Sequence, residues 1–276
     1  MTATSDPEIG LREEVLAPEP AEGLAAMLDL DLPVGAGVEL PPLWHWVYLL
    51  ERRPQRDLGP DGHPTEGIPA PPGPGFRRMF AGGRVVHLHP LVLGRAAHRR
   101  TWVAATEHKT GRTGELTFVT VRSEVSQDGR LAVVDEQDIV YRPPGPALPP
   151  AGSAAAAPAA GDARLDLDVD PRLLFRFSAL THNAHRIHYD RDFVHEEGYD
   201  DLVVHGPLQA LMMGELLRRH GVALLGREFC YRLVAPMTGP QRLSVIGTPG
   251  AAEPSVAASG SAGIVTAQGR LRPTST

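Results

Sequence analysis

An α+β fold built twice over is what this chain of 276 residues predicts. Three features predict it. Each half reads as one dominant apolar helix followed by about four strand-like runs with turn residues between them. A stretch rich in proline and alanine, residues 143–162, separates the halves. A helix with one broad apolar face buries it most simply against a curved antiparallel sheet, so one plan accounts for both halves. The duplication is one of pattern, because the residues themselves do not repeat.

In chain order, residues 1–22 read as a flexible leader, with Pro7, Pro18 and Pro20 interrupting any helix. The first unit is placed at 23–142. Within it Leu40–Arg53 predicts a helix, since Leu43, Trp46, Val47 and Leu50 fall at i, i+3, i+4 and i+7. Pro54–Gly75 holds too many prolines and glycines for a helix or a central strand, and reads as either a binding loop or a surface excursion. Strands are expected at Arg78–His89, Arg100–Lys109, Leu116–Val125 and Leu131–Tyr141, forming an antiparallel meander. His87 and His89 share a strand face, but no third ligand accompanies them, so core or solvated histidines are favoured. After the linker, the second unit (163–276) opens on strand-like Leu165–Val169 and Phe175–Ala179. It continues through a polar turn to a helix at Pro207–His220, with Pro207 suiting its start and Gly221 its end. Gly214 would allow close backbone approach. Four more strands are expected, at Glu228–Ala235, Gln241–Thr248, Pro254–Ser259 and Gly263–Leu271.

Composition narrows the function. A net charge of -6 and a pI near 6.0 leave no footprint for nucleic acid. Cys230 is the single cysteine, which excludes an intrachain disulfide and a cysteine-rich zinc site and fits a reducing cytoplasm. No secretory signal is visible at the acidic amino terminus, and no apolar run is long enough to span a membrane. The expectation is a cytoplasmic protein without membrane or nucleic-acid partners.

The chemistry concentrates between Phe175 and Leu217. Asn183, His185 and His188 lie within six positions of one another. Histidine takes and returns protons near neutral pH, and an asparagine amide can orient water or a carbonyl. His205-Gly206-Pro207 places backbone N–H groups at a helix start, where negative charge is favoured. A base, an orienting amide and an oxyanion donor are the parts needed to add water across a double bond conjugated to a carbonyl. Two other readings of the same cluster stay open: histidines that merely cap the turn, and zinc held by His182, His185 and His188. No GxGxxG or GxxxxGK[ST] loop appears, so no nicotinamide, flavin or nucleotide is implied.

SALTHNAHRIHYD (Ser178–Asp190), followed by Val203-Val204-His205-Gly206-Pro207, resembles the hydratase motif of the MaoC-like, hotdog-fold enoyl-thioester hydratases and dehydratases. The resemblance is nearest to the two-hotdog branch that includes mesaconyl-C4-CoA and itaconyl-CoA hydratases and 3-hydroxyacyl-thioester dehydratases. LPPLWHW (Leu40–Trp46), LGPDGHP (Leu58–Pro64), FAGGR (Phe80–Arg84), EHKTGRTGELTFVTVR (Glu107–Arg122) and DEQDIVYR (Asp135–Arg142) extend it over most of residues 38–235. It implies a double hotdog, with the catalytic motif in the second unit and the first shaping the acyl pocket. It also implies a hydro-lyase with no metal and no separate cofactor, coenzyme A or acyl carrier protein being part of the substrate. Single-hotdog relatives carry an acidic residue five positions before the motif histidine; here that position is Asn183 and the histidine is His188. On this resemblance His188 activates the water, Asn183 positions it, and the Gly206 N–H polarises the thioester carbonyl. Arg186 would either meet a carboxylate or phosphate or form a structural salt bridge, and His182, His185, His205 and Tyr189 are the other expected substrate contacts. A repurposed dehydratase or cyclase and a non-catalytic thioester-binding module are the alternatives. A homodimer is compatible with either, although two units in one chain already supply the minimal pair.

Overall fold

The structure, a computed structural model, describes residues 8–111, 114–143 and 163–274. Among these residues the first half contributes β1 (Gly10–Val15), α1 (Pro18–Met27), β2 (Arg77–His87), β3 (Ala96–Gly111), β4 (Gly114–Gln127) and β5 (Arg130–Arg142). The second contributes β6 (Ala163–Val169), α2 (Pro171–Thr181), α3 (Arg191–Glu196), α4 (Gly206–Arg219), β7 (Arg227–Leu233), β8 (Gln241–Gly247), β9 (Ser255–Ser259) and β10 (Val265–Pro273). All ten strands join one antiparallel sheet in the order β1-β3-β4-β5-β2-β7-β10-β9-β8-β6. Outward from the β2–β7 seam, the two halves have the same order, with β1 answering β6, β3 answering β8 and so on. The duplication expected from sequence is therefore present in the sheet down to strand order.

At the seam Gly82 pairs with Arg232 and Gly83 with Tyr231, next to an irregularity between Phe80 and Gly82. Glycine is required there, because a Cβ on Gly82 would overlap the Tyr231 backbone and one on Gly83 would meet the Tyr231 ring. The second half wraps α4, whose residues Leu208–Leu217 are all buried. Gly214 is needed for close approach: a Cβ would run into Leu43 of the first half. At the next position, buried Glu215 accepts a hydrogen bond from the Trp44 indole N–H (3.0 Å) and is paired with Arg218 (2.8 Å) and Arg219 (3.5 Å). A carboxylate this deep is costly to bury without such partners.

Three expectations are corrected. Residues 10–22 of the supposed leader are ordered, β1 running antiparallel to β3 and α1 burying Ala21, Leu24 and Met27. Pro18 and Pro20 sit in the first turn of α1, where no intrahelical N–H is lost, so they start a helix and do not break one. Leu40–Arg53 is not a helix but a single 3-10 turn, Trp44–Val47. Leu43 and Leu49 adopt left-handed backbone angles (φ 71° and 54°) and cut the turn off at both ends. The apolar side chains still go inside, and Trp44, off the expected stripe, is fully buried. Finally, Phe175–Ala179 belongs to helix α2, not a strand. Asp170 accepts the Leu173 N–H (2.9 Å) as its cap and Pro171 occupies the first turn. Leu173, Leu174 and Phe177 form the buried face of α2, while Phe175 is exposed. The linker assigned to 143–162 lies, apart from Pro143, outside the described residues.

The first half is not a simple meander either, since β2 pairs with β5 and leaves β3 to β1. His87 is a core histidine whose Nε2 accepts the Leu43 N–H (3.2 Å), whereas His89 lies against Arg130 (3.0 Å). Among the described residues no helix is long and apolar enough to cross a membrane.

Candidate active site

The polar turn forms where α2 ends. His182 takes a left-handed conformation (φ 51°) as the C-cap, and Asn183 Oδ1 accepts the His185 N–H (2.9 Å) in a local turn. One 3-10 turn, Arg186–His188, then carries the chain to α3, capped by Asp190. These turns aim the His188 ring inward.

His188 is buried, and its Nδ1 lies 2.7 Å from the Val203 carbonyl oxygen. A carbonyl can only accept, so Nδ1 carries the proton and Nε2 presents a lone pair. Burial pushes the His188 pKa down to about 4, partly offset by the Val203 hydrogen bond, so the ring is neutral at ordinary pH. His205 stacks on it, ring centres 3.5 Å apart and planes 18° from parallel. His205 Nε2 is 2.9 Å from Ser178 Oγ on α2, and its Nδ1 is buried without a partner among the described residues. The residue after His205 is Gly206, the first of α4, whose N–H has no intrahelical acceptor. A Cβ on Gly206 would fall 2.9 Å from Phe80 of β2, so glycine also lets the first half approach this helix end.

The first half supplies a second wall. The Arg186 N–H donates to the Asp61 carbonyl (2.9 Å) and its Nη1 to the Pro60 carbonyl (3.0 Å). Gly62 (φ 90°) lies against the Ala184 carbonyl, where a Cβ would overlap it. Docked this way, the proline-rich loop brings the His63 ring to 3.9 Å from that of His185, which in turn meets His188 edge-on at 5.7 Å. Asp61 Oδ2 holds His63 Nδ1 (3.0 Å), and Arg78 Nη1 reaches His63 Nε2 (3.2 Å). Between the two readings of Pro54–Gly75, this portion is a site loop.

The structure thus brings together His188, His205, His185 and Gly206, with Asn183 tied to them only through its turn bond to His185, and does not bring in every expected residue. His182 is exposed and takes no part in the ring cluster, so the three-histidine zinc set does not form. Tyr189 is exposed, its hydroxyl donating to the Ala184 carbonyl (3.1 Å). Arg186 is committed to Asp190 (2.7 Å) and to Pro60, and serves as the clamp between loop and turn. Asp61, His63, Arg78, Phe80 and Ser178 were missed as site residues. Only the LGPDGHP segment offered a signal for the first two. Asp61, His63 and His185 do bring ligand atoms within 4.8 Å of one another. The Arg78 guanidinium on His63 Nε2, however, puts positive charge where a cation would have to sit.

Burial depresses the pKa of His63, His87, His185, His188 and His205 alike. An unfolded chain takes up those protons below about 6.5, and the folded one resists them. Stability is therefore full above pH ~6.5 and falls as the pH drops from there toward ~4. Urea midpoints measured across that window should decline more steeply than a single histidine allows; a flat profile would contradict the buried cluster.

A neutral buried imidazole thus lies beside a helix amino terminus in a doubled helix-and-sheet fold. A family model described as hydroxyacyl-thioester dehydratase type 2 matches residues 43–239. The mesaconyl-C(4)-CoA hydratase of Chloroflexus aurantiacus is 49% identical over 223 residues, 79% of each chain. HtdX of Mycobacterium tuberculosis superposes with a TM-score of 0.68 at 16% identity, over 97% of this chain and all (100%) of that one. A MaoC-like dehydratase from Phytophthora capsici gives 0.68 at 13% identity, covering 98% and 96% of the two chains. A Mycobacterium tuberculosis protein described as having a double hotdog fold gives 0.56 at 15%, covering 97% and 96%. At such identities the structures establish the fold. The chain belongs to the hydroxyacyl-thioester dehydratase type 2 family, and is a hydro-lyase that adds water to, or removes it from, an acyl thioester.

Proposed function

We propose that the substrate is a short enoyl-CoA of the mesaconyl type, methyl-branched and carrying a free carboxylate, and that His188 is the base that hydrates it. The observation that supports this best is the fixed tautomer of His188, Nδ1–H on the Val203 carbonyl and Nε2 free. In hydration a water O–H bond breaks, its proton going to Nε2, while the water oxygen bonds to the β-carbon. The π pair of the double bond shifts toward the thioester oxygen, where the Gly206 N–H and the α4 dipole stabilise the enolate. Nε2–H then returns the proton to the α-carbon, so the net change is one water added. Asn183 has its amide oxygen occupied by the His185 N–H, which leaves its NH2 group to orient the water. His205 backs the His188 ring. The steps move protons and one electron pair, so the reaction is proposed to need neither metal nor redox cofactor.

Incubation with mesaconyl-C4-CoA should give a product heavier by one water. The same acyl group on an acyl carrier protein should react more slowly if coenzyme A is the carrier. Absence of a water adduct from any enoyl thioester, with the protein folded, would defeat the reading.

A further inference from the structure

We propose that Arg78 is the residue that recognises the free carboxylate of the acyl group; this rests on the substrate reading above and names the group that enforces it. The first observation is charge. Arginines around the site are neutralised by acids: Arg77 by Glu197 (3.3 Å), Arg186 by Asp190 (2.7 Å) and Arg191 by Asp201 (2.9 Å). Arg78 is half-buried and, among the described residues, ion-pairs with no carboxylate. Asp61 stands one imidazole away from it and is occupied with His63. A half-buried guanidinium held only by neutral acceptors keeps most of its donors for an anion.

The second observation is position. Arg78 and Phe80 are two apart on β2, ahead of the irregularity, so their side chains share a face. Phe80 touches the Gly206 end of α4, where the thioester carbonyl is proposed to lie. Arg78 reaches His63, which is two ring contacts from His188. An acyl group with its carbonyl at Gly206 therefore extends along β2 toward Arg78, past His188.

The third observation is the surrounding surface. Arg78 pairs in register with Tyr141 of β5, and the buried Val119, Val121, Ile139 and Tyr141 form an apolar cluster flanked by Phe76 and Phe80. Burial raises the Tyr141 pKa, and Arg78 pulls it back partway, so the two side chains interact. An apolar wall with a guanidinium at its edge suits a short branched chain that ends in a carboxylate. It does not suit a long alkyl chain, whose methylenes would strip water from Arg78 with nothing in return. His63, with its tautomer set by Asp61, fixes one Arg78 N–H and so aims the fork.

Binding of saturated thioesters tests this without depending on turnover. Calorimetric titration should show wild-type enzyme preferring succinyl-CoA to butyryl-CoA, which lacks the second carboxylate. Arg78→Met should reduce that preference by about a hundredfold, the loss expected when a desolvated carboxylate is left without its partner. Arg78→Lys, which keeps the charge but not the fork, should reduce it by about tenfold. If wild type prefers butyryl-CoA, or if neither variant shifts the ratio, Arg78 is not the anchor. Should Arg78→Met bind neither ligand, the Arg78→Lys ratio decides. These binding ratios are independent of the hydration assay, whose failure would instead overturn the assignment of the reaction.

Discussion

His188→Gln lowers kcat for hydration by about a thousandfold and leaves KM and the fold nearly unchanged. The glutamine amide can still donate to the Val203 carbonyl, which now holds His188 Nδ1 at 2.7 Å, so the buried acceptor is not orphaned. What disappears is the lone pair at Nε2. General-base assistance of this kind contributes about 10² to 10⁴ in rate, and the oxyanion donors at the start of α4 are untouched. Steady-state kinetics with a circular dichroism control would check it. A variant keeping more than a tenth of the wild-type rate would move the base elsewhere, to His205 or His63. With His188 as the proposed base, the rate should fall on the acid side only as the pH drops through about 4, where Nε2 takes up a proton.

The second large effect comes from a glycine in the other half. Gly62→Ala forces a Cβ onto the Ala184 carbonyl at a position with φ 90°. Left-handed angles cost an L-residue about 1–2 kcal/mol on their own, and the overlap cannot be relieved without moving the catalytic turn. The loop is expected to lift away, breaking the Arg186–Asp61 and Arg186–Pro60 hydrogen bonds and parting His63 from His185. A misplacement of about 1 Å near the reacting groups is enough for a loss of roughly a hundredfold in kcat/KM. Limited proteolysis should then cut between residues 58 and 64, where the wild type resists. Wild-type rates in Gly62→Ala would show that the loop is not part of the working site.

Much of this was legible in the sequence because the signals were local. The β-strands announced themselves through alternation and glycine turns, and α4 through its apolar stripe between Pro207 and Gly221. His188 and Gly206 were legible for a different reason, the resemblance of their motif to a family. The failures also have physical causes. Trp46, Val47 and Leu50 keep helical spacing, but the positive φ at Leu43 and Leu49, with Leu43 packed against Gly214 of the other half, is not written in that spacing. In Phe175–Ala179 the alternation of apolar side chains outweighed the stronger capping signal of Asp170-Pro171 just before it. Asp61, His63 and Arg78 could not be placed by spacing, since more than a hundred residues separate them from His185, and only the folded loop closes that gap. Arg186 and Tyr189 lie in the motif, and the bonds of Arg186 to Asp190 and Pro60 and of Tyr189 to Ala184 depend on how the turn folds, which spacing does not give.

The unequal filling of the two halves has a further consequence. One copy of the plan keeps the long buried helix α4 and the turn that carries His188; in the other, the segment Leu40–Arg53 forms only the 3-10 turn Trp44–Val47, and a loop is sent across to its neighbour. In a pair of identical subunits every substitution falls twice, so a change that improves an acyl wall also lands beside the base. Fusion removes that coupling. Here Phe76, Arg78, Phe80 and Tyr141 belong to one copy and His188 to the other, so a substitution in the first group falls once and reaches His188 only through the contacts of Phe80 with Gly206 and of Arg78 with His63.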